Sequence, residues 1–450
     1  MSQNRLSRRG VLTGFVAASA AIALPRPAFA HDTLDAGELG LLPYSRDDQS
    51  TTLQAAIDKA RLEQKSLFLP AGMYLANNVV IPAGFGLTGS QASTTLSAFG
   101  DGPVLKSDGH SAFLIEDIGF SGLPGKATAD GSGLLELFGA TGFTINRCRF
   151  REAGGNGIGL FEAQGTISDC DFLDLGDAAI HSMASGGLQI FGNRIIRCGN
   201  AGVRIFRDSS RSEKTIITGN RIEAIDWKGG GNGQTGNGIN LFKADGVIVA
   251  DNFIENCAFT AVRANSCNDV VIRGNYCGSS GEVAIFSEFA FSGSVVADNI
   301  IDGAATGISI TNLDDGGHLA TCTGNIVRNI AERSEVNPDT KPVGIYVEAE
   351  TSVVGNSIES VPGIGIMAGY GKFVRNVVIS SNVLSQVQTG IGVSVVQDAE
   401  SGPVLVNGNL IGKPEQHGIV GMEWDKIVSD DLVRDAGRYP NVTLSGNVDA

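Results

Sequence analysis

Residues 215–246 read TIITGNRIEAIDWKGGGNGQTGNGINLFKADG, and the chain repeats two short signatures that lie in this stretch. The first is an apolar residue, two small or polar residues, Asn, any residue and an apolar residue, as at 217–222. The second is Gly, apolar, any residue, apolar, as at 238–241. Between them lies a loop with Trp227 and three consecutive glycines.

The first signature recurs from about residue 140 to the C-terminus, at intervals of 22 to 38 residues. Its Asn position is occupied in turn by Cys148, Cys170, Asn193, Asn220, Asn252, Asn275, Asn299, Asn325, Asn356, Asn382, Asn409 and Asn447. The second signature alternates with it and begins at Gly157, Ala179, Gly202, Gly238, Ala261, Ala284, Gly307, Gly344, Gly363, Gly390 and Gly418. A period in the low twenties with loops of variable length predicts a solenoid of three short strands and three turns per coil.

In such a stack the Asn residues form one column, spaced by the strand separation of about 4.8 Å. We expect their amides to hydrogen-bond to one another as a ladder, and the Asn backbone to adopt the left-handed turn conformation. Cys148 and Cys170 occupy the first two positions of this column. A disulfide between them is geometrically allowed, but two buried thiols are the preferred interpretation. No CxxC spacing occurs, so neither a zinc nor a redox site is predicted.

Residues 31–450 are predicted to form a single elongated domain, since 61 glycines and few aromatic residues suit short strands with tight turns. We assign 31–85 to an N-terminal cap with the first coils and 140–450 to regular coils. Residues 50–60 predict an amphipathic helix with Leu53, Ala56 and Ile57 on one face and Ser50 or Thr51 as its N-cap. This helix would cover the open end of the stack, where unpaired backbone groups invite aggregation.

Residues 1–30 predict a targeting segment. Arg8 and Arg9 precede an apolar run at 15–24, and Ala28-Phe29-Ala30 places cleavage before His31. Paired arginines before a mildly apolar core are typical of a twin-arginine export signal, which would make the translocon a partner and the location periplasmic or secreted. A membrane anchor is the alternative, but the run is too short to span a bilayer, so we expect no stable membrane insertion after processing.

The processed chain is expected to be strongly acidic. Removing residues 1–30 takes away four of the 33 basic residues and none of the 48 acidic ones, which leaves 29 − 48 = −19. Such a surface repels nucleic acid and anionic lipid, so no nucleic-acid partner is predicted.

Three stretches carry a resemblance to a known fold: Asp47-Asp48, residues 53–58 (LQAAID) and residues 69–74 (LPAGMY). Together with the Asn column they resemble the opening of many pectin-lyase-like right-handed parallel β-helices. With the signal added, the chain is similar to the twin-arginine-translocated repetitive proteins of Gram-negative bacteria. The resemblance implies an all-β, single-stranded right-handed parallel β-helix with an N-terminal capping helix. It also implies a cleft on the sheet that follows the second signature, while the activity stays open because this fold serves many functions.

The third position of the second signature faces solvent, because its apolar neighbours face the core. On four successive coils this position is His181, Arg204, Asn240 and Arg263, and later coils carry Phe286, Tyr346 and Gly365. Arg207 and Lys243 lie three residues further on in their coils. Like charges stacked on successive coils repel one another unless an opposite charge lies nearby. An anionic ligand is one compensator, and neighbouring carboxylates such as Glu288 are the other.

If the protein is an enzyme, the resemblance and the basic column favour β-elimination on a uronate-type polysaccharide. Elimination needs a cation on the carboxylate and a base for the adjacent proton. The candidate catalytic residues are His181, Arg204, Lys243 and Arg263. The candidate substrate-binding residues are Arg207, Trp227, Asn240, Phe286 and Tyr346. The alternative is a non-catalytic structural or glycan-binding envelope protein.

Trp227 either stacks on a sugar or covers apolar surface beside its coil. Ca²⁺ is the one candidate cofactor. Asp314-Asp315 and the group Asp171, Asp174 and Asp177 offer oxygen ligands, although turn-capping aspartates are the favoured interpretation, and no residue is assigned to a metal.

Overall fold

The computed structural model describes residues 32–107, 109, 112–122, 132–231, 233–398 and 401–449. The predicted export signal at 1–30 and the cleavage point before His31 lie outside the described residues. No helix in the described ranges is long and apolar enough to cross a membrane.

Each coil contains three strands, and strands at equivalent positions of successive coils pair in parallel. The first strand ends just before the Asn of the ladder, the second strand follows that Asn, and the third strand carries the Gly-apolar signature. Ile217 therefore pairs with Val249, Ile222 with Ile254, and Ile239 with Val262. The predicted parallel β-solenoid is confirmed.

The first strands form one sheet of the described chain. They are Thr33–Asp35, Ser66–Leu69, Phe85–Gly89, Phe113–Glu116, Thr141–Asn146, Gln164–Ser168, Gln189–Phe191, Ile216–Thr218, Ile248–Ala250, Val270–Arg273, Ser292–Ala297, His318–Thr323, Thr351–Val354, Val377–Ser380, Val404–Asn407 and Val442–Ser445.

The second and third strands share the other sheet, because in some coils the backbone passes from one to the other without a break. The separate second strands are Gly72–Leu75, Thr94–Ser97, Gly119–Ser121, Arg149–Arg151, Asp171–Leu175, Arg194–Cys198, Arg221–Ile225, Phe253–Cys257, Ile326–Ile330, Leu410–Gly412 and Val448–Asp449. The separate third strands are Val79–Ile81, Leu105–Ser107, Gly133–Phe138, Asn156–Phe161, Ala178–Met183, Ala201–Ser212, Asn237–Asp245, Val262–Asn265, Val343–Val347 and His417–Glu423. The continuous strands are Tyr276–Glu288, Ile300–Ile310, Ser357–Ala368 and Val383–Ser394. Lys426–Ser429 pairs antiparallel with His417–Glu423 and makes a hairpin on the side of the stack.

The predicted Asn ladder runs from Asn193 to Asn447. The Nδ2 of Asn220 donates to Oδ1 of Asn252 at 2.9 Å, and the same contact joins each neighbouring pair. The expectation of a left-handed backbone at the Asn itself is wrong. The preceding residue adopts it instead, as in Gly219 (φ 64°) and Asp251 (φ 56°), because the Asn side chain must turn inward to reach its partners.

Cys148 and Cys170 extend the ladder at its N-terminal end. The backbone N–H of Cys170 donates to Oδ1 of Asn193 at 3.0 Å, as an Asn backbone does elsewhere in the ladder. All seven cysteines are free and buried, so the interpretation as two buried thiols is confirmed.

The predicted helix spans Ser50–Leu62, two residues beyond its expected end, and buries Leu53, Ala56, Ile57 and Ala60. Its N-cap is Gln49, not Ser50 or Thr51. Oδ1 of Asp48, which precedes the helix, accepts a hydrogen bond from the Ser50 N–H at 2.9 Å. Gln54 Oε1 accepts from the Val80 N–H at 2.8 Å, so the helix satisfies backbone at the start of the stack. The chain also contains a short helix at Leu432–Asp435 and 3₁₀ turns at Gln91–Ser93, Leu313–Asp315 and Ala436–Arg438.

Candidate functional site

The outer face of the third strands brings the predicted column together. His181 pairs in register with Arg204, Arg204 with Asn240, and Asn240 with Arg263. The same row continues through Phe286, Ser309 and Tyr346.

One position of the predicted column needs correction. Tyr346 pairs with Met367 rather than stacking on Gly365, because Ile345 pairs with Ile366 in the continuous strand Ser357–Ala368. The equivalent Gly-apolar signature therefore begins at Gly365, not at Gly363.

Each arginine of the column is neutralised by a carboxylate. Arg204 pairs with Asp177 at 3.0 Å, Arg207 with Glu213, and Nε of Arg263 with Oε1 of Glu288 at 2.5 Å. All three arginines are more than nine-tenths buried. Of the two ways to compensate the positive charges, by an anionic ligand or by neighbouring carboxylates, the structure therefore shows the second.

Burial and ion pairing have opposite effects on the pKa of these carboxylates. Burial would raise the pKa of Asp177, but Arg204 and Asn200 outweigh it and hold that pKa below its ordinary value. For Glu213 and Glu288 burial prevails over their arginines, and the pKa of each is raised. Nε of Arg204 and Nη1 of Arg263 are buried without a partner in the described part of the chain.

The other predicted residues of this region contact the protein itself. His181 is buried with its ring edge-on to Phe206. Nδ2 of Asn240 donates to the Gln234 carbonyl at 3.0 Å, and Nζ of Lys243 donates to the Asp208 carbonyl at 3.2 Å.

Trp227 covers apolar surface in this structure. Its ring packs edge-to-face on the buried Phe259, with 5.1 Å between centroids, and its Nε1 donates to the Gly231 carbonyl at 3.2 Å. Of the two interpretations of Trp227, the structure thus shows the one in which the ring covers apolar surface beside its coil.

Further along the same face the third strands form the floor of an open cavity of about 900 Å³, which we call the aromatic groove. Its floor carries Phe286, Ser309, Tyr346 and Met367 from four successive coils. Residues 337–342 form one wall, and the other is formed by Tyr370, Met422, Trp424 and Asp425. Two residues predicted to bind substrate, Phe286 and Tyr346, therefore lie in a groove that the arginines do not line.

Trp424 stands over the aromatic groove in a strained backbone conformation. It is the first central residue of the two-residue turn between Glu423 and Lys426, with φ 54°, a position that normally takes glycine. Its ring meets the Tyr370 ring at 5.0 Å between centroids, and the residue is 45% exposed. Asp425 accepts from the Tyr370 hydroxyl at 3.2 Å and pairs with Lys341 of the opposite wall.

Glu348 lies beside this groove and was missed by the sequence argument. Two residues after Tyr346, it projects from the same outer face and is 6% exposed. Its Oε2 accepts from the Leu313 N–H at 2.7 Å. Burial, reinforced by the negative charge of Asp314, raises the pKa of Glu348 to about 7. The alternation of outward residues along the strand would have pointed to it.

A second open cavity, of about 1230 Å³, lies along the bend between the second and third strands. Small residues such as Gly154, Gly176 and Ala258 line it, and no Phe, Tyr or Trp of the described chain does. Its charged groups are partly paired, as in Arg197 with Asp174 at 2.6 Å. It therefore offers no aromatic platform, and the hydrogen bond from Arg197 lowers the pKa of Asp174 in it.

The candidate calcium ligands do not converge. Asp171, Asp174 and Asp177 each face a different arginine, Arg194, Arg197 and Arg204. Within the described ranges no three His, Cys, Asp or Glu residues are arranged to hold a metal ion.

Comparison of the sequence with known families also supports this fold. A family model described as right-handed beta helix region matches residues 108–233, and no curated protein matches the chain. The fold is a right-handed parallel β-helix.

Solved structures with this fold are similar over most of the chain. Bacteriophage phi29 gene product 12, in its pre-mature form, is 11% identical with a TM-score of 0.51, and the match covers 86% of this chain and 63% of the phage chain. The Streptococcus pneumoniae surface adhesin PfbA is 16% identical with a TM-score of 0.46 over 88% of this chain and 95% of its own. The A-module of the Azotobacter vinelandii mannuronan C-5 epimerase AlgE6 is 14% identical with a TM-score of 0.43 over 92% and 99%. The likeness to the phage protein shows the β-helix fold alone.

Proposed function

We propose that this β-helix protein binds a polysaccharide chain in the aromatic groove. The observation that carries the proposal is Trp424, a large ring placed by a glycine-type turn over a groove with three further aromatic residues. A tryptophan at such a position costs stability, and its ring packs against Tyr370 and Phe373 while the residue stays partly exposed. Aromatic faces beside Ser309, Thr311 and other polar side chains are a platform on which sugar rings stack.

The charges of the groove favour a neutral polysaccharide. Glu282, Asp339 and Asp425 line it against one cation, Lys341, among its described residues. An excess of carboxylates repels a uronate chain. The arginines that suggested a uronate ligand are occupied by Asp177, Glu213 and Glu288. A uronate ligand would have to break these buried pairs, so we commit to a neutral glycan.

Binding is tested with Trp424→Gly, because glycine suits the turn and removes only the ring. Calorimetric titration against neutral polysaccharides (glucans, mannans and xylans) and against pectate and alginate should give binding to a neutral polymer. Trp424→Gly should weaken it at least about tenfold, the usual effect of removing an aromatic anchor.

Trp227→Ala is the matched control, since Trp227 is the other tryptophan of the chain and lies outside the groove. It should leave the affinity unchanged. Two results would contradict the groove as the binding site: equal affinity of Trp424→Gly and the wild type, or binding of polyuronates that Arg204→Ala abolishes.

We also propose that the protein works outside the cytoplasm after twin-arginine export, as Arg8 and Arg9 suggest. Fractionation of cells that carry Arg8→Lys with Arg9→Lys should then show unprocessed chain in the cytoplasm. Export of this variant at the wild-type level would refute the assignment.

A further inference from the structure

The second strands of the later coils begin with a row of outward-facing residues that is almost entirely apolar. In each strand the next residue, such as Ile254 or Val327, is buried in the core, so the first residue faces solvent. These first residues pair in register from coil to coil. We call the row the apolar stripe, and it consists of Phe253, Tyr276, Ile300, Ile326, Ser357, Val383, Leu410 and Val448.

The apolar stripe occupies only the C-terminal part of the stack. In the preceding coils the same row is charged and consists of Arg149, Asp171, Arg194 and Arg221. The guanidinium carbon of Arg221 lies 4.7 Å from the centre of the Phe253 ring and marks the boundary. Because this row accepts charged residues in one part of the β-helix, the fold itself does not require apolar residues in the other part.

The stripe exposes enough apolar surface to contact a partner. Its five aliphatic residues, Ile300, Ile326, Val383, Leu410 and Val448, are 37–52% exposed. Together they present on the order of 400 Å² to solvent, a patch size that on a monomer often marks an interaction site. Seven coil spacings of about 4.8 Å make the stripe about 34 Å long. A band of this length that includes the flanking rows would bury about 800 Å², the share of one partner in a standard interface.

The order of the side chains along the stripe makes it complementary to itself in the antiparallel direction. A two-fold axis that lies in the interface and crosses the stripe between Ile326 and Ser357 would place these two residues opposite each other. Each larger side chain of one half then meets a side chain of equal or smaller size from the other half. The pairs are Phe253 with Val448, Tyr276 with Leu410, and Ile300 with Val383.

The charges beside the stripe favour the same arrangement. Two residues further along each strand a flanking row contains Asp302, Arg328, Glu359 and Ser385 on successive coils. The antiparallel axis would place Arg328 opposite Glu359 of the second copy, and Asp302 opposite the uncharged Ser385. An axis parallel to the stripe would instead place each of these residues against itself, and like charges that face each other across an interface oppose association.

We infer that the apolar stripe is the interface through which two copies of this chain associate antiparallel around a two-fold axis. The partner is a second copy because the stripe matches itself both in side-chain size and in the charge of its flanking row. This inference does not rest on the proposed function, since the stripe lies on the second strands and the aromatic groove on the third strands.

Sedimentation equilibrium of the purified full chain tests the association. The wild type should show twice the mass of one chain in the micromolar range. Ile300→Lys and Val383→Glu each place a charge in the stripe at an exposed position, so the fold should tolerate both. Each variant alone should raise the dissociation constant at least about a hundredfold, because the charge occurs twice in the dimer and is desolvated against an apolar residue.

A mixture of the two variants tests the direction of the pairing. In the antiparallel dimer Lys at 300 of one chain meets Glu at 383 of the other, and the second contact of this kind keeps its native Val383 and Ile300. An equimolar mixture should therefore associate at least about tenfold more tightly than either variant alone. Such a recovery would also show that both variants are folded.

Phe138→Lys is the matched control, since Phe138 is as exposed as Val383 at 47% but lies on a third strand. It should associate as the wild type does. A wild type that stays monomeric across the micromolar range would overturn the inference, and so would dimers that Val383→Glu leaves intact. Dimers that both variants weaken but that do not recover in the mixture would overturn the antiparallel pairing.

Discussion

Glu348 shows how one side chain can act against the stability of its fold. Its pKa is about 7, against 4.5 for the free group, so the folded chain holds this proton more tightly than the unfolded chain does. Between these two values the unfolded state binds fewer protons, and stability falls as the pH rises. The contribution is fully present below pH 4.5 and is lost as the pH passes 7.

Glu348→Gln should remove this loss. The variant and the wild type should unfold with similar free energies at pH 4, whereas at pH 8 the variant should be more stable by up to roughly 3 kcal/mol. Urea unfolding at the two pH values measures the difference. Parallel stability curves across this range would show that the carboxyl group titrates normally.

For the arginines of the third strands, the sequence predicts where the residues lie but only part of what they contact. Arg204, Arg207 and Arg263 were predicted to face outward, and their positions in the register are as expected. Glu288, the partner of Arg263, was named from the sequence as a carboxylate that could compensate the column, whereas Asp177, which lies 27 residues before Arg204, was not. A periodic pattern predicts which residues share a face, but not which opposite charges meet across coils.

Among the elements, the Asn ladder is the most predictable because its spacing and its buried amide are both visible in the sequence. The left-handed residue before each rung was not predicted, since glycine, aspartate and serine all occupy that position. The aromatic groove was not predicted as a whole either. Its walls come from the loop at 337–342 and the hairpin that carries Trp424 and Asp425, which are insertions outside the repeat.

Substitution of an interior Asn of the ladder should cost more folding stability than substitution of a terminal one. Asn275 donates to Asn299 and to the Val249 carbonyl, and its Oδ1 accepts from both nitrogens of Asn252. Asn275→Ala leaves buried donors without acceptors, and we expect a loss of about 2–4 kcal/mol. Asn447→Ala, at the half-buried end of the ladder, should cost less than about 1 kcal/mol. Thermal unfolding compares the two, and equal losses would contradict a ladder stabilised by its burial.

At the scale of the whole molecule, a continuous core runs through the stack from Ala36 near the N-terminal helix to Val442 in the last coils. The strands of each coil pair only with those of the neighbouring coils, so stability is built largely from a series of local interfaces. The seven cysteines lie in the central coils, between residues 148 and 322, and report on that part of the stack.

The buried thiols should therefore become reactive together. Burial raises the pKa of Cys198, Cys267, Cys277 and Cys322 to about 12, so these four thiols hold almost no reactive thiolate at pH 8 in the folded protein. Because the ladder and the core join all the central coils, we expect terminal coils to unfold first and the thiol-bearing coils to open as one unit. Pulsed alkylation across a urea titration, read by mass, should give chains with none or all seven thiols modified. Chains with Cys148 modified and Cys322 protected would mean that the stack breaks between them and that coil interfaces, not the ladder, limit its cooperativity.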